Sequence, residues 1–252
     1  VPAYDFRSPR LFVASALAAG ADVALEREQS HYLLNVLRLA EGGIVLAFNG
    51  RDGEWRTRVR LLSKKAAVLA PEEQLRPQPA QPDLQFLFAP LKHARLDYLI
   101  QKAVEMGAGA IGPVITQHTQ VTRINAERMR ANAIEAAEQC GILAVPEILP
   151  ERRLDRLAGE WEADRRLVFC DEDAPVRDPV NALRAQPRGK MAILIGPEGG
   201  FSEPERMMLL RLPHVVRLSL GPRILRADTA AVASLALVQA TLGDWADSGE
   251  AG

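Results

Sequence analysis

The chain has only two cysteines, Cys140 and Cys170, far apart and outside any Cys-x-x-Cys spacing. That argues against a structural zinc site and against a disulfide framework. Both read as small buried hydrophobes of a reducing compartment. An excess of charge is also lacking: 31 Lys and Arg stand against 32 Asp and Glu, for a net charge of -1 and a pI near 6.5. Nucleic-acid binding is therefore not advertised by bulk charge and would need a local basic surface. No stretch approaches the roughly 20 apolar residues of a membrane span. Arg7 and Arg10 before Leu11–Ala19 superficially match a signal peptide, but the run is short and Leu11-Phe-Val13 suits a strand. A cytoplasmic protein with no metal and no membrane partner is expected.

The 252 residues, 48% hydrophobic and 25% charged, suffice for one large domain or two modest ones. The first 75 or so offer short β-like runs at Arg10–Ala14, Ile44–Phe48, Glu54–Leu62 and Ala66–Ala70. Gly42-Gly43, Asn49-Gly50 and Asp52-Gly53 split them, and His31–Leu39 reads as one short helix. This predicts a small β-barrel-like domain over residues 1–75, followed by a proline-rich linker from Pro71 to Pro82. From Leu84 strands and helices alternate. Strands are expected at Leu84–Ala89, Ala110–Ile115, Arg166–Cys170, Met191–Ile195 and Val215–Leu220. Helices are expected around Leu96–Met106, Ala126–Cys140, Glu203–Arg211 and Ala227–Leu242. The rhythm implies an α/β domain over residues 76–252 with a mainly parallel sheet.

Two loops follow buried strands at the end where open α/β sheets bind ligands. The first is Ile193-Leu-Ile-Gly-Pro-Glu-Gly-Gly-Phe-Ser-Glu-Pro-Glu205, whose glycines let backbone approach a ligand and whose Ser202 suits a helix N-cap. A plain strand-to-helix connection would use the same residues. No Gly-Lys-Ser/Thr follows and no Gly-x-Gly-x-x-Gly is present, so triphosphate and NAD readings lose their support. The second is Leu218-Ser-Leu-Gly-Pro-Arg-Ile-Leu-Arg-Ala-Asp-Thr-Ala230, in which Arg223 and Arg226 flank Ile224-Leu225 after a Gly-Pro turn. Paired arginines there suit an anionic or carbonyl-rich partner.

Together the loops resemble the signature of the RsmE-type 16S ribosomal RNA uridine-N3 methyltransferases of the SPOUT superfamily. Arg10-Leu-Phe-Val13 and His31-Tyr-Leu-Leu-Asn-Val-Leu-Arg38 are similar to that family's PUA-like RNA-binding domain. Gln101-Lys-Ala-Val-Glu-Met-Gly107, Pro113-Val-Ile-Thr116, Ala136-Ala-Glu-Gln-Cys140 and Val145-Pro-Glu-Ile148 are similar to its catalytic domain. The resemblance implies a C-terminal SPOUT domain with a deep trefoil knot, S-adenosyl-L-methionine as methyl donor, 16S ribosomal RNA or the small subunit as partner, and a homodimer. It places Leu194, Gly196, Pro197, Glu198, Gly199, Leu218, Leu220, Gly221, Ile224, Leu225 and Arg226 at the cofactor. Gly141-Ile142 departs from the family, which often has Arg there, and Asp228 stands where many members have Glu.

N3 of uracil attacks a methyl carbon well only as its proton leaves. Arg226 or Arg223 is the expected stabiliser of charge on the flanking carbonyls, with Glu198 as proton acceptor or cofactor-orienting group. His31 and His93 read as surface or packing residues, and His118 lies nearer the expected site. For RNA, Arg10 and Arg38 are candidates, joined by Arg56, Arg58 and Arg60. The last three belong to a window, Arg51–Lys65, with six cations against Asp52 and Glu54 and with Trp55 available for stacking. Two alternatives stay open: a SPOUT methyltransferase acting on another RNA, and a non-catalytic RNA-binding assembly factor.

Overall fold

The computed structural model describes Asp5 and residues 7–120, 123–171, 173–175 and 178–247; the side chains of His93, Ala246 and Asp247 lie outside the described set. The chain divides into two compact units, Val1–Ala80 with Ala137–Val145, and Gln81–Ala136 with Pro146–Gly252.

The first unit holds β1 (Arg10–Phe12), β2 (Val23–Ala24), α1 (Arg27–His31), a π-helical turn (Tyr32–Val36), β3 (Ile44–Phe48), β4 (Glu54–Ser63) and β5 (Ala66–Arg76). The sheet order is β1-β3-β4-β5-β2, antiparallel except for β1 on β3. Leu11, Val13, Val23, Leu33, Val45, Val59 and Leu69 form its core. Leu46 and Phe48 are buried as well, so β3 is covered on both faces and reads as an unbroken apolar run.

Two expectations need correcting here. The helix starts earlier than His31, at Arg27, and stops at Val36; Arg38 then takes φ +55, a left-handed conformation unusual for a side-chain-bearing residue. The proline-rich linker also begins later than Pro71, because β5 runs on to Arg76. Pro71 is tolerated there because it sits beside a bulge, where Thr57 pairs with Pro71 and Arg56 with Glu73. The neighbouring β2 reaches only to Val68 and Leu69. A missing N–H costs little at a bulge, and the Pro71 carbonyl still accepts from the N–H of Gly20 at 3.3 Å.

The strongest polar tie in this unit centres on Glu54, which is 3% exposed. Its carboxylate accepts from Arg10 Nε at 3.0 Å and from Arg76 Nε and Nη2, both at 2.8 Å. Arg76 Nη2 also donates to the carbonyl of Gly141 at 3.0 Å, and Arg10 Nη2 to that of Asp5 at 2.9 Å. Arg10 is thus a buried structural residue, not a cation offered to RNA.

The second unit contains β6 (Leu84–Phe88), α2 (His93–Glu105), β7 (Ala110–Ile115), α3 (Ala126–Cys140), β8 (Glu147–Ile148), β9 (Arg152–Arg153), α4 (Leu154–Gly159), β10 (Arg166–Cys170), α5 (Pro179–Arg184), β11 (Met191–Ile195), α6 (Glu203–Leu210), β12 (Val215–Leu218) and α7 (Ala227–Thr241). The end of α3 and the turn after it count with the first unit. All pairings are parallel, in the order β12-β10-β11-β6-β7-β8, with β9 also on β7. One face packs Leu87, Phe169, Leu194 and Leu209 with Leu154 and Leu157 of α4. On α2 and α7, which pack together, Leu99, Ile100, Leu235 and Val238 are buried. All five residues of β11 are buried. At about 1.5–3 kcal/mol per large side chain removed from water, Ile193, Leu194 and Ile195 anchor the middle of the sheet.

The strand order positions the site. After β10 the chain moves to one neighbour, β11, and then returns to the other side of β10 as β12. Connections leaving in opposite directions open a crevice at the carboxyl ends of these three strands.

The cysteines differ from the expectation. Cys140, the last residue of α3, is exposed where the chain leaves the helix at Gly141. Cys170 is half-buried, and enclosure of its thiol pushes the pKa up to about 12, only partly relieved by a hydrogen bond with Ser234. A thiol that stays protonated at neutral pH is not a nucleophile.

Candidate functional site

A cavity of about 640 Å³ opens in that crevice. Its floor is the end of β10, Phe169–Asp171; one wall is Ile195–Phe201, and the other is Leu218–Gly221 with Arg223–Ala227. Ten of the eleven residues expected at a cofactor line it: Gly196, Pro197, Glu198, Gly199, Leu218, Leu220, Gly221, Ile224, Leu225 and Arg226. Leu194 is not among them. Strand alternation turns its side chain into the core beside Phe169, where it is fully buried.

Two glycines are required by geometry. A Cβ on Gly196 would lie 2.6 Å from the ring of Phe201, which folds over the turn and meets Phe169 edge-on at 5.2 Å. Gly221 has φ +99, which an L side chain rarely adopts, and it turns the chain out of β12. Ser202 begins α6 as expected: its N–H donates to Glu205 Oε2 at 3.0 Å and its hydroxyl to the same oxygen at 2.9 Å. The other oxygen of Glu205 accepts from the N–H of Gln117 at 2.7 Å, which ties the loop after β7 to the glycine turn. His118, in that loop, packs on Gly199 and places Nδ1 3.0 Å from the carbonyl of Gly200. It borders the cavity wall, whereas His31 is an exposed residue closing α1 and the side chain of His93 lies outside the described residues.

Arg223 and Arg226 are exposed and line the cavity mouth, with no ion-pair partner among the described residues. Arg226 also precedes α7 as its N-cap, and its carbonyl accepts from Ala230 N–H at 2.8 Å. Glu198 faces Arg95 of α2 at 3.5 Å, a half-exposed pair of small energetic weight. Ile224 is 93% exposed between the two arginines. Among the described residues no group of His, Cys, Asp and Glu is placed to hold a metal ion, and no helix is long and apolar enough to cross a membrane.

Sequence reasoning missed the floor. Asp171, buried at 6% exposure, accepts from Arg217 Nε at 2.7 Å and Arg206 Nη2 at 3.2 Å. Phe169, Asp173, Phe201, Glu203 and Ser219 also line the cavity.

The cationic window of the first unit has a different character from its linear reading. Arg56 pairs with Glu73 at 2.6 Å, Arg58 with Glu72 at 2.6 Å, and Arg60 with Asp22. The acids come from β5 and from the residue before β2, across the sheet. Trp55 packs, partly buried, against the core and donates Nε1 to the carbonyl of Asp52 at 2.8 Å. Arg38 is exposed, with no partner among the described residues.

An "RNA methyltransferase domain" family model matches residues 78–239, and an "RNA methyltransferase PUA domain" model matches residues 25–72. A Rickettsia conorii protein named ribosomal RNA small subunit methyltransferase E is 29% identical, covering 91% of this chain and 94% of its own length. A Legionella pneumophila protein described as a methyltransferase, solved with SAM bound, shares 28% identity at TM-score 0.83 over 94% of this chain and 99% of that one. A ribosomal RNA small subunit methyltransferase E from Neisseria gonorrhoeae, bound to S-adenosyl methionine, shares 26% identity at TM-score 0.79 over 94% and 98%. With residues 78–239, the whole cavity lining among them, matched by the domain model, the chain belongs to the RNA methyltransferase domain family, and a PUA domain precedes that domain.

Proposed function

We propose that the chain transfers a methyl group from S-adenosylmethionine to N3 of a uridine in 16S ribosomal RNA of the small subunit. The observation that carries this reading is the cavity at the ends of β10, β11 and β12, in a chain similar along nearly its whole length to methyltransferases solved with that cofactor. The residues present fit the cofactor: about 640 Å³ is an ordinary volume for a nucleoside-sized ligand. Leu218, Leu220 and Leu225 offer apolar contact for a purine, and the glycine turn exposes backbone groups to its edge.

When bound, the cofactor supplies a methyl group already activated by its sulfonium, so the protein's work is placement and charge. Arg223 and Arg226 at the mouth hold positive charge where the uracil carbonyls gain negative charge as N3 loses its proton. Guanidinium groups stay protonated in proteins, so neither arginine is the base. Glu198, on the opposite lip, orients the nucleoside or accepts that proton. The homodimer and the knotted threading implied by the resemblance go with the same reading, as does a cytoplasmic location.

Mass-spectrometric mapping of ribosomal RNA from cells lacking the protein tests it. Loss of one 3-methyluridine from the small-subunit RNA is expected; an unchanged modification profile would overturn the substrate assignment.

On the first unit, Arg38 is the RNA contact that the geometry favours. It is unpaired among the described residues and held at φ +55 after a π-helical turn; such strain and such turns recur at functional sites. Arg38→Glu should weaken RNA binding several-fold and lower the salt slope of the affinity by about one. An unchanged slope removes Arg38 from the interface.

A further inference from the structure

The floor of the cavity carries a charge arrangement that nucleoside recognition alone does not use. Asp171 is enclosed, its side chain 4% exposed, and its Oδ2 is shared by two arginines, Arg206 and Arg217. Its other oxygen accepts from the N–H of Asp173 at 3.1 Å, so both oxygens are already engaged within the protein. Arg217 is committed as well, with its Nη2 on the carbonyl of Asp173. Arg206 is not. It lines the cavity and gives Nη2 to Asp171, while Nε is shut away from water with no acceptor and Nη1 has none among the described residues. A buried donor without a partner costs about 1–3 kcal/mol, and more on a charged group. Beside Arg206 lie two carboxylates that look outward, Asp173 at 3.9 Å and Glu203, both lining the cavity and both exposed.

A guanidinium with unspent donors next to outward carboxylates, at the end of the cavity away from Arg223 and Arg226, matches an α-amino-acid zwitterion. Resting on the cofactor reading above, we propose that Arg206 receives the carboxylate of the cofactor's amino-acid tail, while Asp173 and Glu203 receive its ammonium group. Asp171 and Arg217 are positioning residues that fix the guanidinium. The apolar wall holds the nucleoside, and the floor tells a full cofactor from a nucleoside fragment lacking the tail.

Calorimetry with S-adenosylhomocysteine and 5′-methylthioadenosine tests this, because the second keeps the adenosine and the thioether but has no amino-acid end. The wild-type chain should bind the homocysteine compound more tightly. Arg206→Gln should weaken that compound roughly ten- to a hundredfold, as expected for a lost charge-assisted hydrogen bond, and leave methylthioadenosine within twofold. Unchanged methylthioadenosine binding also shows that the variant is folded. Asp173→Asn, at an exposed position that should not disturb folding, should produce a smaller loss of the same selectivity. Equal loss of both ligands, or no change in either, overturns the assignment of Arg206. If the wild-type chain binds neither compound, the cofactor reading itself fails, and that result is distinct from the other two.

Discussion

Glu54→Gln should lower stability by about 3–5 kcal/mol, the cost typical of breaking a buried ion pair from one side. The carboxylate is 3% exposed and serves Arg10 and Arg76 together. Neutralising it takes from Arg10, whose own side chain is only 5% exposed, the carboxylate charge that faces it. Arg76, 21% exposed, can shift toward solvent and should contribute less to the loss. Urea unfolding followed by a probe in the first unit reads the effect, and a loss below about 1 kcal/mol would sink this account. Replacing Arg10 and Glu54 together with methionine should recover much of the loss, since a buried pair exchanged for packed apolar groups is often neutral. The same pair of measurements separates a structural Arg10 from one that meets RNA: the double variant should keep its affinity for RNA.

Arg226→Ala should reduce methyl transfer about 10²–10³-fold, the range seen when a donor stabilising developing negative charge is removed. Cofactor affinity should fall by less than tenfold, because the cavity wall contributes Leu218, Leu220, Leu225 and the glycine turn independently of this side chain. Arg226 has no carboxylate to satisfy among the described residues, so its removal leaves no orphaned partner and should scarcely affect stability. Arg226→Lys should recover only part of the rate if a planar fork spans a carbonyl, since an ammonium is a point charge. Full turnover by the alanine variant with binding intact would remove Arg226 from the chemistry.

Most long elements were legible because period and length agree. Ala110–Ile115, Ala126–Cys140, Arg166–Cys170 and Met191–Ile195 occur with the bounds expected. The short elements β8, β9, α4 and α5 span two to six residues, too few to display a period. The two walls of the cavity were readable as strand-end loops, and Arg223, Arg226 and Glu198 stand on them. Its floor was not, because Asp171 belongs to the site only once β10 is known to lie between β11 and β12, a fact of strand order. The basic window failed for a related reason. Glu72, Glu73 and Asp22 are remote along the chain from the arginines they neutralise, and only the register of β4 on β5 brings Glu72 and Glu73 alongside.

The first unit is completed by residues made long after its strands. The carboxylate of Glu138 accepts from the N–H of Phe12 at 2.8 Å, the carbonyl of Gly141 from Arg76, and the carbonyl of Leu143 from Gln78 at 3.2 Å. A nascent chain that has just released residue 80 from the ribosome therefore carries a β-sheet with these donors unanswered, and the wait lasts until Val145 has emerged. Synthesis proceeds from the N-terminus, but the N-terminal unit is complete only after the 56 residues of Gln81–Ala136, which belong to the second unit, have been made. Its closure coincides with the arrival of α3, so a translation pause between Gln81 and Ala136 would prolong the interval in which the sheet edge at β1 lies open to a wrong partner.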